Sequence, residues 1–443
     1  MLLGTQKINE AGHLEIGGCD CVGLAEEFGT PLYILDEKYI RENCRRYLNA
    51  LKEFYGEESR VVYAGKAFLT LGMCKLIEQE GLWLDVSSGG ELYTALRADF
   101  PPQRILLHGN NKSREELSLA LDNDVERIVV DNLYELELLN RLCIERGKRA
   151  KILLRITPGI DPHTHRFIDT GQVDTKFGLN LKNGQAMEGI RRALDMEGVE
   201  LLGLHCHIGS QLLRIGPLLK AAKIMVDFLK EIKEETGIEL RELDVGGGLG
   251  IRYLSSHKPP TIEEFVERLS KAIEKETRGN GLSLPVLLLE PGRSIIGEAG
   301  VTLYRVGAIK EVTYSKKGSL HKRIYAMIDG GMSDNPRPQL YNAKYEAIVA
   351  NKASQPPQIN YTIAGKHCET DVLIWDVLLP PLEPGDILAV QSTGAYNYSM
   401  ASNYNRFPRP AVVLVREGKA DLLVRRETYE DLIKADLIPS HLK

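Results

Sequence analysis

The chain has 443 residues, 43% hydrophobic and 26% charged, enough to bury a full core in about three domains or in one large barrel with a smaller partner. A formal net charge of −5 gives no electrostatic footprint for nucleic acid or an anionic membrane, and no apolar run reaches the roughly 18 residues of a membrane-spanning helix. The opening MLLGTQKINEAGHLEIGG lacks a basic stretch followed by an apolar one, so no secretory signal is expected. Seven cysteines, at 19, 21, 44, 74, 143, 206 and 368, are odd in number and scattered, the pattern of reduced thiols in a cytoplasmic protein. Cys19 and Cys21 form a Cys-x-Cys with no second pair at zinc spacing, so no metal is expected there.

In chain order, KINEAGHLEIGG and PLYILDE within residues 1–36 read as β-hairpin material. From residue 60 a unit recurs: a short apolar run, a polar or glycine-rich end, then a helical pattern. The runs are RVVYAGKAF (60–68), LWLDVSSGGE (82–91), RILLHGNNK (104–112), ERIVVDNLYE (126–135), KILLRITPG (151–159), LLGLHCHIGS (201–210), LRELDVGGGLG (240–250) and PVLLLEPGRS (285–294). Continuous rather than alternating apolar runs predict strands buried on both faces, as in a parallel sheet. Between them, MEGIRRALDM (187–196) and PLLKAAKIMVDFLKEIKEETG (217–237) have helical spacing, with Gly237 as a stop. Eight such units over about 250 residues predict a (β/α)8 TIM-like barrel spanning 37–299, with a doubly wound sheet as the rival. After residue 300, β-rich runs separated by turn signals such as Pro384-Gly385 and Gly418 predict a mostly antiparallel β-barrel domain. Residues 1–36 are expected to join 300–443 in it, so that the barrel is inserted between two β segments.

Barrel enzymes carry their chemistry at the C-terminal ends of the strands, and these ends hold the groups that a phosphate-bearing carbonyl cofactor needs. Lys66 follows VVYAG; there, desolvation and nearby cations can make its amine nucleophilic, although alone it reads equally as a snorkelling strand-end lysine. Gly246, Gly247 and Gly248 follow LDV on the seventh run, where backbone N–H groups can approach an anion; a tight turn needs the same residues. Glu290, in LLLEPGRS, can hold a ring nitrogen protonated, and Arg293 can grip a carboxylate or phosphate bidentately; the bland alternative is a Glu/Arg ion pair. His205 and His207 make His-x-His, as do His163 and His165, and metal hydrolysis competes for that pattern. A stacking role for His207 against a flat cofactor leaves fewer residues unexplained. Cys368, in GKHCETD beside Glu369, can deliver a proton, whereas a free cysteine more often simply packs.

Taken together, YAGKAF, DVSSGGE, TGQVDTKFGLN, HCHIGSQ, DVGGGLG, EPGRS, NPRPQLYNA, CETDVL and TGAYNYSMASNYN resemble, in order and over most of residues 25–410, the fold-type III pyridoxal-phosphate decarboxylases, most closely the diaminopimelate branch. The resemblance implies a pyridoxal 5′-phosphate (PLP) barrel, a C-terminal β domain and a homodimer with shared active sites. It implies decarboxylation of meso-2,6-diaminopimelate at its D-centre to L-lysine and CO2, the last step of lysine biosynthesis. Lys66 would be the Schiff-base lysine and His207 would stack on the ring. Ser210, Gly247, Gly248, Glu290, Gly292, Arg293 and Tyr396 would hold the cofactor, with Glu290 at the pyridine nitrogen. Arg293, Arg337 and Tyr341 would bind a substrate carboxylate, Glu369 the distal ammonium, and Tyr396 would also line the substrate site. Cys368 would be the proton donor, supplied with Glu369 by the other subunit. In GKHCETDV, His367 and Thr370 depart from the small or apolar residue and the serine more usual in bacterial relatives.

Rival readings are a same-fold decarboxylase of ornithine, lysine, arginine or carboxynorspermidine, and a non-catalytic relative. A simple diamine precursor offers no distal carboxylate to Arg337, and a decoy would be expected to lose Lys66 or the phosphate residues.

Overall fold

Eight short parallel strands close on one another between residues 60 and 289. They are Arg60–Ala64, Trp83–Val86, Ile105–Leu107, Arg127–Val130, Ala150–Thr157, Val199–His205, Glu242–Asp244 and Val286–Leu289. Each pairs with the next, and the last returns to the first through Leu288↔Arg60 and Leu289↔Val61. The barrel is therefore closed and the doubly wound alternative is excluded. This computed structural model describes residues 2–160, 174–316 and 318–443. His163, His165 and the start of TGQVDTKFGLN lie outside the described residues.

The apolar runs close because both of their faces are covered. Val62, Leu106, Val129, Leu153 and Leu288, from five strands, meet in one cluster with almost no exposure. Burying each such side chain favours folding by about 1.5–3 kcal/mol. The return helices begin on side-chain caps: Thr70, Ser88, Ser113, Asn132 and Thr261 each accept a hydrogen bond from the amide three residues on. Such a cap contributes about 1 kcal/mol. The cap also fixes where a loop ends, so the few residues between strand and cap are held at the strand's C-terminal end. The helix Gly216–Thr236 stops at Gly237, whose φ of 74° is a left-handed conformation that glycine adopts without strain.

The chain divides into two units, Met1–Ile40 with Arg252–His257 and Ile296–Lys443, and Arg41–Ile251 with Lys258–Ile295. The first is a mostly antiparallel sheet in which Leu32–Asp36 from the N-terminal segment lies between Gly300–Lys316 and Ala411–Arg416. Two of its pairings are parallel, Ser319–Ile328 with Ile359–Ala364, and Leu32–Asp36 with Ala411–Arg416. The opening segment forms the hairpin read from its sequence, Lys7–Ile8 against Leu14–Ile16. The core joins both ends of the chain: Leu14, Ile16, Leu32 and Ile34 pack with Val301, Leu303, Ala389 and Val413. The loop Arg252–His257 is tied into this unit. Arg252 N donates to Glu298 Oε1 at 2.8 Å, Ser392 Oγ donates to the Arg252 carbonyl at 2.7 Å, and Ser255 N donates to Glu346 at 2.6 Å. No helix among the described residues is long and apolar enough to cross a membrane.

Candidate active site

In the barrel unit, the expected cofactor residues are linked through their own backbone. Lys66 stands in a short 3-10 turn, 65–67, just beyond the first strand. Its side chain is exposed, so burial by protein alone does not desolvate the amine as the sequence reading supposed; its titratable neighbours include Asp85 and His207. Gly292 packs on this turn: a Cβ there would lie 2.9 Å from Ala64 Cβ and 3.0 Å from the Ala64 carbonyl. Gly247 abuts the eighth strand end, where a Cβ would lie 2.1 Å from the Glu290 carbonyl oxygen. Gly248 has a φ of 120°, and its Cβ position is 2.7 Å from the Gly209 carbonyl. Any side chain at 247 or 248 would displace backbone, so these glycines are required by close approach.

Arg293 Nε and Nη2 both donate to Ser210 Oγ, at 3.1 and 3.0 Å. With two donors on its oxygen, the Ser210 hydroxyl keeps its own hydrogen to donate to an acceptor. His207 lies beside Gly246, whose Cβ position is 2.8 Å from His207 Nδ1. Loss of water around its ring, then Lys66 and Arg155, push the His207 imidazole well below its usual value, so it is neutral. The two histidines of His-Cys-His do not converge on one centre, since His205 faces Glu290 instead.

Glu290 is buried between two imidazoles. His108 Nε2 is 2.7 Å from Oε1 and His205 Nε2 is 3.3 Å from Oε2. Burial favours the neutral acid, but His108 first and then His205 hold the Glu290 carboxyl well below the usual range. The neighbouring acids go the other way. Asp244 is pushed well above its usual value by burial and then by the charge of Glu290, and burial raises Asp85. Of the three, Glu290 is the one held toward its charged form. His205, pushed down to about 3 by burial, is a neutral donor through Nε2. The sequence reading passed over His108, Asp85, Asp244 and Arg155. The signal available was a polar residue directly after an apolar run.

In the β unit, Arg337 is 5% exposed. Its Nη1 donates to Tyr253 Oη at 2.7 Å and Tyr345 Oη at 3.0 Å. The guanidinium lies 5.0 Å from the Tyr253 ring centre and 5.9 Å from that of Tyr341. Its Nε makes no hydrogen bond, and no carboxylate pairs with it among the described residues. Tyr396 is held at a φ of 60°, a left-handed conformation rare for an aromatic residue, and interacts electrostatically with Arg337. Cys368 is the exposed one of the seven cysteines. Its N–H donates to Asn405 Oδ1 at 3.1 Å, and Tyr404 Oη donates to Glu369 at 2.6 Å, so the loop rests on residues 404–405. Tyr253 and Tyr345 were also unread in the sequence, and Tyr404 and Asn405 were read only as part of TGAYNYSMASNYN, without a role.

A phosphopyridine fits the barrel unit on these observations. The glycine cradle excludes side chains, Ser210 Oγ accepts twice from Arg293 and keeps its own hydrogen to donate, and Glu290 Oε1 is buried yet makes no well-aligned hydrogen bond. Fold and donor set together define a pyridoxal-phosphate decarboxylase built on a (β/α)8 barrel with a separate β unit. The family profile "Pyridoxal-dependent decarboxylase, pyridoxal binding domain" matches residues 37–297. A diaminopimelate decarboxylase of Bacillus subtilis is 50% identical over 437 residues, 98% of each chain. Among solved structures, the M. jannaschii diaminopimelate decarboxylase in co-complex with L-lysine superposes with a TM-score of 0.91 at 39% identity, covering 100% of both chains. The Helicobacter pylori enzyme complexed with L-lysine gives 0.83 at 32% identity, covering 93% of this chain and 98% of that one. The chain belongs to the diaminopimelate decarboxylase family.

Proposed function

We propose that this protein removes CO2 from the D-centre of meso-2,6-diaminopimelate and releases L-lysine, using pyridoxal phosphate. The observation that carries the substrate is Arg337, a buried guanidinium with phenolic neighbours and no carboxylate partner among the described residues. An unpaired buried charge costs several kcal/mol, and a substrate carboxylate at the non-reacting end relieves that cost. Ornithine has no such group. The test is CO2 release from meso-diaminopimelate measured against L-ornithine and LL-diaminopimelate. Turnover confined to the meso isomer is expected, and equal turnover of ornithine overturns the assignment.

When bound, the cofactor would supply an aldehyde for the substrate amine and a ring to take up the electron pair left at Cα as CO2 departs. Lys66 provides the amine that holds it covalently. Ser210, Arg293 and the amides of Gly247 and Gly248 hold its phosphate, with Gly292 allowing the Glu290–Arg293 turn to reach the Lys66 turn. Glu290 faces the ring nitrogen and His207 the ring itself. Arg337, Arg293 and Tyr341 bind the L-centre carboxylate, Glu369 its ammonium, and Tyr396 lines both cofactor and substrate. Cys368 delivers the proton to Cα, and its exposure on a loop suits a residue that acts in the site of a second subunit. A homodimer also suits the β-unit concavity of about 890 Å³ lined by Gln339, Tyr345, Thr370, Trp375 and Leu378, where Trp375 and Leu378 are 52% and 49% exposed. Six buried cysteines without disulfides fit a reducing cytoplasm.

A further inference from the structure

We infer that His108 is a positioning residue for the reaction: through Oε1 it fixes the Glu290 carboxylate in the orientation that faces the cofactor's ring nitrogen. The inference rests on the reading of Glu290 given above and adds the residue through which that carboxylate acts.

His108 is the first residue after the third barrel strand, Ile105–Leu107, and its backbone N–H is tied to the Val86 carbonyl at 2.7 Å. It is 6% exposed, and its ring meets that of His205 edge-on, with centres 4.9 Å apart and planes at 68°. These contacts leave the imidazole little freedom. A carboxylate held at one oxygen can turn about its last carbon–carbon bond. One held at Oε1 by His108 and at Oε2 by His205 cannot. The His108 contact, at 2.7 Å, is the closer, and it lies off hydrogen-bond alignment. It therefore acts by close approach and leaves an Oε1 lone pair to accept the ring N–H. The other titratable groups that interact with Glu290 are Asp244, Asp85, Arg155, His207 and Cys206. Burial raises both acids, and Asp85 Oδ1, at 3.8 Å from His108 Nε2, is farther from it than Glu290 Oε1 at 2.7 Å.

The same three side chains bring potential metal ligands within 4.8 Å of one another. Two ligands sharing one tetrahedral ion at ordinary zinc distances stand about 3.3 Å apart. At 2.7 Å, His108 Nε2 and Glu290 Oε1 are too close to share an ion as placed, and close enough to bind each other.

The experiment compares the parent with His108→Leu, which removes the nitrogen set against Oε1, and His108→Gln, whose amide nitrogen can approach Oε1 from nearly the same place. Pyridoxal phosphate is titrated into each apoenzyme, and the absorbance of the bound cofactor is followed against pH. Steady-state kinetics with meso-diaminopimelate follow. His108→Leu is expected to bind the cofactor about 10-fold more weakly, to show a pH-dependent cofactor spectrum where the parent's is constant, and to lose about 10–100-fold in kcat, with KM little changed. His108→Gln should recover most of each. Unchanged spectra and kcat in His108→Leu overturn the inference. Stoichiometric divalent metal in the purified parent that is absent from His108→Leu also overturns it, because the trio would then be a metal site. If Glu290→Gln has the parent's spectrum and turnover, the reading of Glu290 itself has failed, whatever His108 does. Should the leucine variant not fold, Gln against His108→Asn, one methylene shorter, carries the same comparison: activity retained in Gln and lost in Asn supports the inference, and equal activity overturns it.

Discussion

Arg293 grips Ser210 through two nitrogens, and in doing so ties the loop after the sixth barrel strand to the turn after the eighth. A guanidinium can do this and still present other N–H groups to a phosphate, because its five donors are fixed in a plane. Lysine offers one mobile ammonium. Arg293→Lys is therefore expected to keep the fold but to weaken cofactor affinity by about 10-fold or more, measured by titrating the apoenzyme with pyridoxal phosphate. Affinity equal to the parent's would remove Arg293 from the phosphate site.

Lys66 lies on the turn that Gly292 packs against, so its amine is carried on a rigid base although the side chain is exposed. Lys66→Ala should still bind the cofactor through the phosphate cradle, but more weakly. Borohydride reduction should fix a phosphopyridoxyl group to the parent and not to the variant, as read by intact-protein mass. An adduct of equal yield on the variant would place the attachment on another lysine.

The barrel could be read because its strands are buried on both faces and so appear as unbroken apolar runs. The residues directly after those runs, Lys66, Gly246–Gly248 and Glu290, were equally visible. His108 also directly follows its run, but a single histidine in RILLHGNNK gains a role only when barrel closure carries the third strand end to the eighth. The same holds for Tyr253, 84 positions from Arg337 and brought to its guanidinium by the loop Arg252–His257 joining the β unit, and for Tyr345, eight positions away within the β segment itself. Periodicity reports which face is covered. It carries no information on which polar ends meet once the sheet closes.

Cys368 differs from the other six cysteines in being exposed, and its backbone, not its thiol, is tied to Asn405. Removing the sulfur should therefore cost little stability, within about 0.5 kcal/mol. Cys368→Ala should keep cofactor and substrate affinity and lose at least about 100-fold in turnover if the thiol delivers the proton to Cα. Isothermal binding of L-lysine alongside kcat separates the two effects. Undiminished kcat would assign the proton to another group.

Beneath the Cys368 loop lies Asp334, fully enclosed, accepting hydrogen bonds from Tyr304 Oη and, at 2.9 Å, from Gly331 N. Burial pushes its carboxyl up to about 7, against an opposing contribution from the Tyr304 hydrogen bond. In the unfolded chain the same group titrates near its ordinary value of about 4. Below that value both states hold the proton and the residue has no effect on the pH dependence of folding. As pH rises from about 4 to about 7, the unfolded state gives up a proton that the folded state keeps, so stability falls across that window and levels off above it. An asparagine at this position has no such proton to lose. The difference in unfolding free energy, parent minus Asp334→Asn, is therefore expected to decline steadily between pH 4 and 7 and then to flatten, as measured by urea unfolding at several pH values. A difference independent of pH would show that Asp334 is ionised in the folded protein at neutral pH. In that case, Gly331 and Tyr304, rather than a proton, would hold the floor of the Cys368 loop together.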